Sequence, residues 1–126
     1  MDGNTLNTKM PLYVIILTRP TLSKVLRIRK VYAEAQELIN IMAAGIQLGE
    51  DPIKSFQIQE IPEPDSFSIN KEVYAVIKNT VGTQYSGEAL MGIWQTFEAA
   101  WSAALYLDSN EDIDDVSYEV RMMTVI

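Results

Sequence analysis

The chain has 126 residues, 48% of them hydrophobic, and a net charge of −7; that length fits one domain able to bury roughly two thirds of the surface its unfolded form exposes. It contains no cysteine and no histidine. Disulfides, thiolate nucleophiles, zinc sites and histidine-based acid–base chemistry are thereby removed, and the reading is a non-enzymatic chain without cofactor or metal. The negative balance disfavours nucleic acid, whose phosphates demand cations, and no apolar run approaches the ~20 residues that would span a bilayer.

Residues 1–10 are polar and aperiodic and lack the basic start and apolar middle of a signal peptide, so a flexible N-terminus and a cytoplasmic location are expected. Pro11 opens a single domain, 11–126. Tyr13 to Thr18 is β-branched and aromatic, a strand buried on both faces. Pro20 fixes the following turn. Val25 to Val31 alternates, with Leu26 and Ile28 predicted on one face and Arg27 and Arg29 on the other. A helix from about Ala33 carries Ala35, Leu38, Ile39, Met42 and Ile46 at helical spacing, with Gly49 as its stop. A strand then runs from Ser55 to Ile61 and ends at Pro62 and Pro64; residues 62–71 form the connector.

The second half, 72–126, repeats the order of the first, 11–61: a strand from Val73, a long loop from Asn79 to Glu88, and a strand from Ala89 to Trp94. A helix from about Phe97 follows, with Thr96 as N-cap and Glu98 in the first turn. Phe97, Ala100, Trp101 and Ala104 mark its face, where Trp101 reads as core. An acid-rich loop, Asp108 to Asp115, leads to a last strand from Val116. Each helix reverses the chain, so the third strand of each half is expected beside the first and antiparallel to it. The fold class is therefore α+β: a tandem ββαβ repeat forming a largely antiparallel six-stranded sheet with two helices on one face. Two facing three-stranded sheets, with or without a second chain, are the alternative.

The stretch Val73 to Leu105 carries an aromatic strand end, a threonine cap, an acid and an alanine at Trp94, Thr96, Glu98 and Ala100. It resembles a small hairpin-plus-helix unit of uncharacterised phage and bacterial proteins. The first half departs from that unit, with Val31 at the cap position and no aromatic matching Trp94. The resemblance implies a phage-type accessory protein, in the host cytoplasm, and supplies no catalytic residue.

Charge is divided unevenly along the chain. Five bases and no acid lie between Arg19 and Lys30, and seven acids and no base between Glu98 and Glu119. Candidate ligand-binding residues are Arg27, Arg29, Tyr85 and Arg121, suited to phosphate oxygens and assisted by the glycine-containing 79–88 loop. Candidate partner-interface residues are Trp94, Asp108, Glu111, Asp112, Asp114 and Asp115. Asp108 to Glu119 matches part of a calcium-loop spacing, but Ile113 stands where the turn needs glycine. The leading expectation is a protein-interaction module, an accessory protein or inhibitor that binds a host protein. The alternatives are a module that binds a signalling nucleotide and a structural homo-oligomer.

Overall fold

The computed structural model describes residues 10–45, 55–64, 72–82 and 86–126, and among them strand-period alternation and two helix-period stripes place eight elements. They are β1 (Pro11–Arg19), β2 (Leu22–Arg29), α1 (Tyr32–Ala44), β3 (Phe56–Pro62), β4 (Glu72–Val81), β5 (Ser86–Trp94), α2 (Phe97–Ser109) and β6 (Val116–Thr124). The class is α+β, and both halves follow the order strand, strand, helix, strand. β3 ends at Pro62, as its prolines require. Thr96 caps α2, its hydroxyl accepting from the Ala99 amide at 3.2 Å. α1 starts after Val31, which supplies no side-chain cap, and closes at Gly45; Ile46 and Gly49, the predicted end of this helix, lie outside the described residues. So do residues 1–9 of the N-terminal segment, 65–71 of the connector, and Tyr85.

The strand order is β3-β1-β2-β5-β4-β6. β1 is antiparallel to β2 and β3, and β4 is antiparallel to β5 and β6. The third strand of each half thus returns beside the first, as the split arrangement requires. The halves join through β2 and β5, which run parallel and pair only at Leu22 with Ser86 and Ser23 with Gly87. The sheet is therefore mixed. The cause is local: the Ser86 amide donates to the Thr21 carbonyl at 3.0 Å, so the two hairpin tips meet and both strands leave them in one direction.

The side-chain clusters separate both helices from the core that the two halves share. Leu12, Val14 and Ile16 of β1 join Val25 and Ile28 of β2 in one buried cluster with Val73, Ala75, Ile77, Leu90, Ile93, Met123 and Val125 of the second half. No helical residue enters it. The alternate residues Tyr13 and Ile15 pack instead with Ala35, Ile39, Leu38 and Met42 of α1, and Tyr74 and Val76 pack with Ala100 and Ala104 of α2. Each half is apolar on both faces, and a single helix covers only one. The uncovered faces of the six-stranded sheet therefore pack on each other in one shared cluster, and each helix lies on the other side of its own strands.

A β-bulge in each hairpin sets the inward positions. The β1 register passes from Arg27 to Val25 and skips Leu26, and the β4 register passes from Gly92 to Leu90 and skips Met91. One extra residue shifts the alternation. Val25 and Ile28, and likewise Leu90 and Ile93, face inward although they stand three apart, while Leu26 turns to α1. The predicted common face for Leu26 and Ile28 is thus corrected.

At the second bulge Gly92 lies under the indole of Trp94. A Cβ built there would stand 2.7 Å from the ring. Gly92→Ala is expected to lift Trp94 and lower stability by about 1–3 kcal/mol, measured by urea unfolding, with a change in native tryptophan emission.

Candidate functional site

Two surfaces contain the residues singled out from the sequence. The first lies where the halves part beyond Ser23. There the β2 edge loses its strand partner, and side chains of the second half take its place. The Ser23 hydroxyl bonds to both the amide and the carbonyl of Glu88, each at 3.1 Å. Glu88 Oε1 accepts from the Val25 amide at 3.0 Å. Arg121 grips Glu88 through two bonds of 3.1 and 2.8 Å, donates to Glu119 at 2.9 Å and reaches the Val25 carbonyl at 3.4 Å. Asn79 donates to the same Glu119 oxygen at 2.9 Å. Carboxylate and guanidinium thus substitute for a missing strand edge.

Electrostatics follow from these contacts. The hydrogen bond from Arg121 holds the Glu88 carboxyl below its ordinary value of 4.5, against the opposing effect of burial and with help from the Val25 amide. Arg121 is shifted upward, first by its bond to Glu88. Its charge is therefore committed to two carboxylates. The sequence marks it as a candidate ligand-binding residue, and in the structure it pairs with Glu88 and Glu119. Glu88, Glu119, Asn79 and Ser23 were missed. The available signal was opposite charges two apart on β6, Glu119 and Arg121, at inward positions of a strand.

Arg27 and Arg29 do line one groove with Arg121, together with Leu26, Met122 and Ile126. Arg27 donates to its neighbour Leu26 carbonyl at 2.9 Å and Arg29 to Ile28 at 3.2 Å. Neither forms a salt bridge among the described residues. The seam above the groove is closed by a parallel bridge between Ile28 and Val125 and by the Lys30 amide donating to Ile126 at 3.2 Å.

The second surface is α2 with the turn that follows it. Glu111 accepts from the Tyr118 hydroxyl at 2.7 Å and from the Ile113 amide at 3.3 Å, and Lys78 stands 3.8 Å away. The Tyr118 bond is the main cause that lowers the Glu111 pKa, and the same bond, with burial, pushes Tyr118 up to about 12. Glu111 is an internal brace. Asp108, Asp112, Asp114 and Asp115 are exposed and make no salt bridge among the described residues. The calcium-loop spacing is dispersed over helix, turn and strand, and no acidic cluster able to hold a metal ion occurs among the described residues. Trp94 is half-buried and packs in the cluster beneath α2. Trp101, read as core, is 47% exposed. Its face is set by the 100° step: Ala100 and Ala104 turn inward, and Phe97, Trp101 and Leu105 outward.

No protein-family model matches the chain, and neither a curated protein nor a solved structure shows significant similarity to it. No helix among the described residues is long and apolar enough to cross a membrane.

Glu88 stabilises the fold above its ordinary pKa, and that contribution is lost as pH falls through its lowered folded value. Thermal stability is expected to drop with acidification below pH 4.5, and Glu88→Gln should flatten the acid limb. Arg121→Ala leaves Glu88 charged and unpaired at the seam and should cost about 1–3 kcal/mol in denaturant unfolding. Tyr118 has the opposite sign: its bond to Glu111 stabilises below pH 10.0 and is lost as pH rises through about 12. Absorbance titration should show a phenolate step near 12 that moves toward 10.0 in Glu111→Gln.

Proposed function

We propose that the chain is a non-enzymatic protein-interaction module, in the accessory or inhibitor role that the resemblance of its second half implies. One observation carries this reading: α2 turns its large side chains away from the protein. Phe97, Trp101 and Leu105 are 46, 47 and 51% exposed, and such aromatic anchors concentrate binding energy when covered. The polar seam supports a scaffold over an enzyme, because its charges satisfy one another within the fold. Immobilised protein is expected to retain a partner from host lysate, and Trp101→Ala, at an exposed position, should release it while leaving the circular dichroism unchanged. Capture that is indifferent to Trp101 counts against this face.

A second reading draws on Arg27 and Arg29, two guanidinium groups that line one groove and form no salt bridge among the described residues. Small phosphorylated ligands suit them. A nucleotide panel should then raise the melting temperature of the wild type and not of Arg27→Ala.

A further inference from the structure

The outer flank of α2 is a preformed apolar ridge. Phe97, Trp101 and Leu105 recur every four residues and so lie along one side of the helix. Phe97 and Trp101 are stacked, with centroids 5.9 Å apart and planes 13° from parallel. Tyr74 meets Phe97 edge-on at 6.0 Å. These contacts fix the rings before any partner arrives, which lowers the ordering cost of binding. Inside, the helix sits on the sheet through Ala100 and Ala104, so the large rings have no core to fill.

Charge selects what could cover the ridge. A helix C-terminus carries partial negative charge and is stabilised by cations. α2 has no basic residue in its last turn, and that turn contains Asp108. Exposed Asp112, Asp114 and Asp115 follow directly, and Lys78, the base that approaches this end, is engaged with Glu111. Among the described residues no salt bridge offsets Asp108, Asp112, Asp114 or Asp115, so the ridge ends in negative potential. A nucleic acid is repelled there. A purely apolar helix would cover the rings and leave the acids unanswered.

We propose that this flank receives a basic amphipathic helix of a partner protein. Its apolar residues lie on Phe97, Trp101 and Leu105, and its lysines or arginines group at the end above Asp108 to Asp115. The proposal rests on the protein-interaction reading above and adds the chemistry of the partner.

The test titrates the full chain, by calorimetry, with three synthetic peptides. These are an amphipathic Leu/Ala/Lys helix with its lysines at one end, the same helix with Glu for Lys, and a scrambled form of the first. The Lys helix should bind, and the Glu and scrambled forms should not. Affinity should fall at least several-fold when salt is raised well above physiological strength. Trp101→Ala should weaken binding about tenfold or more. The combined Asp112→Asn, Asp114→Asn and Asp115→Asn variant should weaken it and remove most of the salt dependence. Equal binding of the Lys and Glu helices would overturn the basic partner and leave the interaction reading standing. A concentration-dependent dimer abolished by Trp101→Ala would overturn it in favour of a second copy of this chain. Failure of every peptide, with a monomer in light scattering, would also overturn it, and the lysate capture by wild type and Trp101→Ala then decides separately whether the face binds protein at all.

Discussion

Among the described residues, each three-stranded half of this protein is apolar on both faces and carries one helix. That mismatch governs the architecture. α1 takes the Tyr13 and Ile15 face of the first half, and α2 the Tyr74 and Val76 face of the second. The opposite faces, carrying Val14, Ile28, Val73 and Ile77, are fully buried with no helix over them, so they cover one another. Hydrophobic burial drives this, since several branched side chains per half would otherwise be left in water at about 1.5–3 kcal/mol each. The two β-bulges serve the same end. They bring Val25 with Ile28, and Leu90 with Ile93, onto the inner face despite odd spacing.

Joining the two halves through so short a pairing leaves strand edges unpaired, and the seam shows how the chain handles that cost. The parallel pairing of β2 with β5 lasts for two residue pairs. Beyond it the Glu88 carboxylate satisfies the Val25 amide and the Arg121 guanidinium reaches the Val25 carbonyl. Ladder register places Gln59 beside Val14 as it places Arg121 beside Ala75. The two inner faces therefore differ chiefly at polar positions: neutral amides on β3, and an ion-paired network on β6. The difference has a structural use, because Arg121 and Glu88 tie the second half to β2 of the first.

The outward side chains of α2, Phe97, Trp101 and Leu105, belong to none of the buried clusters of the described residues. Ala100, Ala104 and Leu107 seat the helix on its strands, and the half-exposed rings of Phe97 and Trp101 stack on each other. An exposed apolar stripe of this kind lies directly beside a run of exposed acids. The groove at Arg27 and Arg29 is a smaller feature, since the third arginine beside it is held by two carboxylates.

Much was legible from residues alone because it depends on local backbone geometry. Alternation located the strands, helical spacing located α1 and α2, Thr96 and Pro62 marked boundaries, and chain reversal by each helix put β3 beside β1 and β6 beside β4. The absence of histidine and cysteine, and the separation of basic and acidic stretches, are likewise properties of the sequence by itself. Which face each helix covers was not legible, because Tyr13, Val14 and Ile15 are all apolar and periodicity cannot say which neighbour lies on which side. Nor was the inward placement of Glu88, Glu119 and Arg121, or the outward placement of Trp101. The bulges shift side-chain parity by one residue, and the meeting of the hairpin tips at Thr21 and Ser86 joins segments some 65 residues apart. Local geometry fixes where an element forms. What stands against it is decided only when distant segments compete to cover the same apolar face.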